Sequence, residues 1–314
     1  MMTLIKSKKS AILLFLILVI IGFTFFYGKS LFFKHNSANN VKSVKIVSKI
    51  KAKKASKSYN EPITTAVTST EYPIKSSTSK ITSIISSNAI SDNEILSLVD
   101  RSNRNELFES PMPLNTPIFS SNKKANKLLA LTFDDGPSKE FTKKYVDVLK
   151  SLNVKSTFFI VGKMAEKNPN LLTYIAENGN EIGIHSYSHK YMPLMTPEQM
   201  IDELYKTQAI VVNTTGVKPD LFRPPYGAFN NTLVKISNAL GLHVVLWTVD
   251  PDDWKRPGIP NIINTIVSKS SSGSVILMHE GNSETLAALP QIIVKLRSKG
   301  YSFVTVSELM KAYQ

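Results

Sequence analysis

Cysteine is absent from this 314-residue chain, which excludes disulfides and thiol chemistry but fixes no compartment. Histidine is scarce at 5 residues and tryptophan at 2, so the position of each one is informative. Acidic charge is in deficit, with 24 Asp+Glu against 38 Lys+Arg and a formal net charge of +14. Such an excess suits nucleic acid, anionic lipid or an acidic wall polymer. No basic cluster interleaved with aromatics accompanies it, nor a zinc-finger or helix-turn-helix pattern, so no nucleic-acid partner is expected. Internal repeats are lacking as well.

A long apolar run occurs at the N-terminal end, from Ala11 to Tyr27. It is uncharged, preceded by Lys6, Lys8 and Lys9 and followed by Lys29 and Lys34. About 17 residues is near the lower limit for a bilayer span and long for the apolar part of a signal peptide. Gly22-Phe23-Thr24-Phe25 is too bulky for a cleavage site, which favours an uncleaved anchor. The heavier basic flank comes first and stays inside. The expected layout is a cytoplasmic basic tail (1–10), a transmembrane signal-anchor (11–27) and an extracytoplasmic remainder. The protein is then a single-pass cell-membrane protein, or a secreted one if the segment is cleaved.

Residues 28–126 are expected to form an extracytoplasmic linker, mostly disordered, because Ser, Thr, Lys and Asn bury too little apolar surface to offset chain entropy. A short helix is expected within Asp92–Leu107, where Ile95, Leu96, Leu98 and Val99 cluster. Pro111, Pro113 and Pro117 then break regular structure ahead of a folded domain at 127–314. In that domain strand-like runs begin near Leu128, Ser156, Glu181, Leu221, His243, Ser274 and Ser302. Helical segments fall between them, several ending before a glycine. Alternation of this kind predicts an α/β fold, a distorted parallel β/α barrel of roughly seven strands. A doubly wound open sheet has the same periodicity and is the alternative.

Polar residues recur at the expected C-terminal tips of these strands: Asp134, His185, Arg223, Asp250 and His279. In parallel α/β folds catalytic groups gather on that rim. Asp134 and Asp135 are adjacent carboxylates, able to divide metal binding from proton transfer. His185 and His189 are spaced to share one metal ion if the segment turns helically, and Asp135 would complete a two-His, one-carboxylate set with open positions. Zinc is the first choice, and cobalt, nickel and manganese suit the same donors. Arg223 opens the rigid turn Arg223-Pro224-Pro225-Tyr226-Gly227, where it can keep a nearby carboxylate ionised while the Tyr226 amide points at an oxyanion. Trp254 suits a sugar groove, Trp247 the core, and His279 a general acid; His243 reads as structural.

Thr132-Phe133-Asp134-Asp135-Gly136-Pro137, His185-Ser186-Tyr187-Ser188-His189, Arg223-Pro224-Pro225-Tyr226-Gly227, Asp250-Pro251-Asp252-Asp253-Trp254 and Leu277-Met278-His279 occur in that order. Together they resemble the five motifs of the polysaccharide deacetylase (nodulation-type) family, and the likeness covers roughly Lys127 to Gln314. The resemblance implies a metal-dependent hydrolase acting on N-acetylated sugars. It implies Asp134 as base, Asp135, His185 and His189 as metal ligands, Arg223 tuning Asp134, and the Tyr226 amide at the oxyanion. It further implies Asp253 orienting His279, the acid, with Trp254 and Leu277 lining the acetyl pocket. Glu280 departs from the family's usual Asp. A membrane-tethered domain outside the cell would meet peptidoglycan, so GlcNAc of that glycan is the expected substrate. Chitin oligomers, MurNAc, another amino-sugar polymer and O-acetylated xylan are alternatives, as is a non-catalytic glycan-binding protein. No oligomeric state is implied.

Overall fold

The computed structural model describes residues 90–100 and 111–312. Seven strands form one sheet: β1 (Leu128–Gly136), β2 (Thr157–Ile160), β3 (Glu181–Ile184), β4 (Leu221–Phe222), β5 (His243–Val244), β6 (Val275–His279) and β7 (Ser302–Val304). They run β5-β4-β3-β2-β1-β6, with β7 paired to the start of β1, and every pairing is parallel. Parallel neighbours need long crossovers, and helices supply them. After α1 (Asp92–Asp100), α2 (Thr142–Ser151) joins β1 to β2, while α3 (Gly162–Lys167) and α4 (Pro169–Glu177) join β2 to β3. The remaining crossovers are α5 (Pro197–Thr215), α6 (Asn231–Ala239), α7 (Ile259–Lys269) and α8 (Ser283–Ser298), and α9 (Val306–Lys311) follows β7. The two six-residue helices α3 and α9 are too short for a periodic signal in sequence.

Strand alternation divides the core. Leu129, Leu131 and Phe133 of β1 belong to the large cluster under the helices, with Phe158, Ile184 and Met278. Ala130 belongs to a smaller cluster on the opposite face with Phe159, Leu221 and Val275, which Val306 and Leu309 of α9 cover near the strand starts. Above Ala130 on that inner face come Thr132 and then Asp134. The sheet therefore turns apolar residues inward at its base and polar ones at its carboxyl rim. α5 is held by a Thr196–Gln199 capping box and ends at Gly216, φ 70°; loss of such a cap costs about 1 kcal/mol.

The architecture is a curled parallel sheet rather than an evenly closed barrel. The strand that begins at His243 ends after two residues, and 245–249 take other partners. Leu246 N–H instead donates to Phe119 O at 2.8 Å, and Phe119 N–H to Val244 O at 2.9 Å. Val249 then meets β6 in a single bridge to Ile276.

α1 falls within the short helix expected over Asp92–Leu107, whereas residues 111–126, expected as tether, pack on the domain. Ala125 is fully buried, and Asn122 Nδ2 donates to the carbonyls of Leu309 at 2.9 Å and Ala312 at 2.7 Å. In α1, Ile95 and Val99 are buried and Asp92 pairs with Lys235 of α6 at 2.5 Å. The basic tail 1–10, the anchor 11–27 and linker residues 28–89 and 101–110, the latter with the remainder of the helix expected to Leu107, lie outside the described residues. Among the described helices none is long and apolar enough to cross a membrane.

Candidate active site

At the tip of β1 the ladder slips. Asp134 is opposite Phe159 and Gly136 opposite Ile160, so Asp135 is the extra residue of a bulge, with φ 73°. In a regular strand adjacent side chains face opposite sides; the bulge returns Asp135 to the side of Asp134. Both carboxylates line one cavity of about 450 Å³. The following Gly136 has no room for a side chain, because an added Cβ would lie 2.1 Å from Glu280 Oε2.

Asp134 and Arg223 are both buried, joined by Arg223 Nη1 donating to Asp134 Oδ1 at 2.7 Å. The same nitrogen donates to Thr132 Oγ1 at 2.8 Å, and the guanidinium lies 4.0 Å over the Phe159 ring. A buried charge costs several kcal/mol unless paired in this way. Burial raises the Asp134 carboxyl above its ordinary value, while the charges of Arg223 and His279 pull it back. Thr132, whose own hydroxyl donates to Ile276 O at 2.7 Å, escaped the sequence reading; its place two residues before Asp134 on the same strand face was the available signal.

The segment after β3 is a loop, not the helical turn expected for the His185–His189 spacing. Ser186 and His189 take left-handed φ values of 61° and 55°, and Ser186 Oγ accepts the His189 N–H at 3.0 Å. The rings still converge, their centroids 4.8 Å apart. His185 Nδ1 donates to Arg223 O at 2.7 Å, which turns Nε2 toward the cavity. Burial pushes the His185 imidazole down to about 3, so it stays neutral and able to ligate. His189 Nε2 lies 3.3 Å and His185 Nε2 3.7 Å from Asp135 Oδ1.

That oxygen is buried without a hydrogen-bond partner, and one ligand atom from each of the three residues lies within 4.8 Å of the others. A buried orphan carboxylate oxygen facing two imidazoles fits a divalent cation. The donor set does not single out one metal.

Across the cavity, β6 brings His279 beside Asp134 in register. His279 Nδ1 bonds Asp253 Oδ1 at 2.6 Å, while Asp253 Oδ2 accepts the His279 N–H at 2.9 Å and the Thr285 hydroxyl at 2.7 Å. Asn282 Nδ2 holds the Asp253 carbonyl. Of the three crowded acids, Asp253 is thus the one bonded to His279; Asp250 turns its Oδ1 to the Asp252 N–H at 2.7 Å. Burial lowers the His279 imidazole, but the Asp253 hydrogen bond and the charges of Asp134, Asp253 and Asp135 outweigh it, raising it to about 9.

Tyr226, Trp254 and Leu277 also line the cavity. Tyr226 has φ 61°, and the hydrogen bonds of its turn are made by the next two N–H groups, those of Gly227 and Ala228. Trp247, expected in the core, packs half-buried against its smaller cluster and also lines the cavity, its ring 2.8 Å from where a Gly227 Cβ would be. His243 stays at the start of β5, where burial lowers its imidazole. Glu280 is buried behind β1: Oε1 accepts the Ser138 N–H at 2.9 Å and the Thr142 hydroxyl. Its other oxygen has no partner, and burial raises the carboxyl to about 7.

A family profile described as "Polysaccharide deacetylase" matches residues 121–245. The chain is 38% identical over 186 residues to the peptidoglycan-N-acetylglucosamine deacetylase PgdA of Listeria monocytogenes, covering 59% of this chain and 39% of that protein. A peptidoglycan-N-acetylglucosamine deacetylase of Bacillus cereus is 36% identical over 190 residues, covering 59% of this chain and 89% of the relative. Among solved structures, BA3943 of Bacillus anthracis, a CE4 family pseudoenzyme, matches with TM-score 0.60 at 31% identity. That match covers 62% of this chain and 69% of the other. The chain thus spans 39% of the length of the Listeria relative.

Proposed function

The chain belongs to the polysaccharide deacetylase family, and from that membership we propose that it is a hydrolase removing N-acetyl groups from cell-wall glycan, with peptidoglycan GlcNAc as substrate. The observation that carries this reading is one cavity holding an orphaned Asp135–His185–His189 donor set between Asp134–Arg223 and His279–Asp253. Listeria and Bacillus cereus relatives named for that substrate support the choice of sugar.

Asp135, His185 and His189 would hold the cation, zinc by preference, which supplies a Lewis acid that makes water more acidic and polarises a carbonyl. Asp134, fixed by Arg223, accepts a proton from the water that attacks the acetamide carbon. The Tyr226 N–H faces the oxygen that gains charge. His279, protonated below about 9 and oriented by Asp253, gives its proton to the nitrogen as the C–N bond breaks. Acetate and a free amine leave. Trp254 and Leu277 wall the acetyl side.

A non-catalytic glycan binder would be expected to lack a ligand or the base, and each is in place. We further propose that segment 11–27 anchors the protein and holds the domain against the wall. The test is acetate release from purified peptidoglycan by the full-length protein, abolished by chelator and restored by zinc. Mass spectrometry should place the new amine on GlcNAc. No release by metal-loaded protein from peptidoglycan or chitin oligomers overturns the reading.

A further inference from the structure

The strands of this parallel sheet all start at the pole opposite the catalytic rim. Three stretches of chain meet there: 122–127 leading into β1, 267–274 into β6 and 296–302 into β7. They carry Lys123, Lys124, Lys127, Lys269, Arg297 and Lys299, all exposed, and no Asp or Glu. The turn into β2, 150–155, adds lysine and again no acid. The other ends of β1 and β6 lead instead to Asp134, Asp135, Glu280 and Glu284, so charge is segregated along the strands.

Hydrogen bonds make the three stretches one surface. Asn122 N–H donates to Gly273 O at 3.0 Å, Lys127 N–H to Ser272 Oγ at 3.1 Å, and Ser302 N–H to Lys127 O at 2.8 Å. Part of the charge has an ordinary use, because cations near helix C-termini answer unpaired carbonyls. Lys127 Nζ donates to Lys299 O at 3.2 Å, Lys299 Nζ to Val267 O at 2.7 Å, and Arg297 Nη2 to Asn153 O at 3.2 Å. These acceptors are neutral, so the bonds fix the cations without cancelling them. Among the described residues no carboxylate pairs with any of the six. Lys123 and Lys124 are at no helix end.

We propose that this pole is a docking surface for an extended phosphodiester polyanion, a linear phosphate-bearing polymer of the cell wall. Fixed cations of one sign repel one another, and a chain of regularly spaced anions relieves that repulsion as it releases its counterions. A lipid surface or nucleic acid fits less well. Lipid docking uses inserted apolar side chains and single-stranded nucleic acid stacks on aromatic ones. None of the large hydrophobics exposed among the described residues lies in the three stretches. The wall as setting rests on the deacetylase reading; the match of charge does not. Docking at this pole leaves the rim free for glycan, while Asp134, Asp135, Asp250 and Asp252 keep the polymer out of the catalytic cavity.

The probe is inorganic polyphosphate, offered to the full-length protein, to a pole variant (Lys124→Gln, Lys269→Gln and Arg297→Gln together) and to a rim variant. The rim variant combines Lys139→Gln, Lys144→Gln and Lys163→Gln, so both lose the same charge from exposed positions. Lysines outside the domain are common to both, and the difference between the variants isolates the pole. Affinity should fall about tenfold in the pole variant, with a flatter salt dependence, and much less in the rim variant. Lysine acetylation read by mass spectrometry should show polyphosphate shielding Lys123, Lys124, Lys127, Lys269 and Lys299 but not Lys139, Lys144 or Lys163. Equal losses in the two variants, or uniform shielding, overturn the surface, because net charge alone then explains binding. Shielding of the pole by phosphatidylglycerol vesicles but not by polyphosphate also overturns it, in favour of a lipid partner. Acetate release should be the same in both variants. Its absence from the unsubstituted protein, with the pole still shielded, would remove the deacetylase reading and leave the docking surface standing.

Discussion

On one side of the catalytic cavity, hydrogen bonds from His279, Thr285 and Asn282 occupy both carboxylate oxygens and the carbonyl of Asp253. On the other, Asp135, His185 and His189 converge with a buried carboxylate oxygen left unpaired. Both sides stand on strand tips of one sheet, so the scaffold is not what differs. The His279 side is complete as folded protein, whereas the Asp135 side is complete only with a cation. Asp134 lies between them, held by Arg223 rather than by either.

The strongest way to break this division is Asp134→Asn. Turnover should fall by roughly two to four orders of magnitude, while elemental analysis finds metal retained, because the three donors are untouched. Turnover near the unsubstituted level would remove Asp134 as the base.

Asp253→Asn sharpens the contrast with a smaller loss. Metal content should hold, but the alkaline limb of the pH–rate profile should move from about 9 toward 6.5, the ordinary imidazole value. The sign follows from linkage. An imidazole raised in the folded state adds stability that is full below about 6.5 and lost as pH passes about 9. An alkaline limb that stays in place would detach Asp253 from this role.

The smallest effect on turnover is expected of Glu280→Gln, which acts on stability instead. Its carboxyl is raised from 4.5 to about 7, so folding favours the protonated form, and that stability is lost as pH rises through this window. Thermal melts from pH 4.5 to 7 should slope downward in the unsubstituted protein and flatten in the variant, with a difference on the order of 10 °C at the upper end. Parallel melting curves would count against a protonated Glu280.

How legible this was depended on the range of the interactions involved. Helix and strand periods, and the glycine after α5, are local, and the sheet with its rim of Asp134, His185, Arg223 and His279 followed from them. The pairing of Asp253 with His279 is long-range, and among Asp250, Asp252 and Asp253 the chain order carries no signal for it. Segment 111–126 looked like tether because its three prolines hide any period; Phe119 is ordered by the backbone of β5, not by its neighbours. The converging His185 and His189 were legible, but the left-handed residues that bring them together were not.

The bulge at Asp135 makes the chemistry depend on counting as well as on composition. Deleting one residue between Asp134 and Pro137 would restore plain alternation, so that neighbouring side chains again diverge and a donor is withdrawn from its imidazoles. Every remaining residue type would be unchanged, yet the domain would be inert. Length tolerance should therefore vanish at this tip, although surface loops elsewhere accept insertions readily.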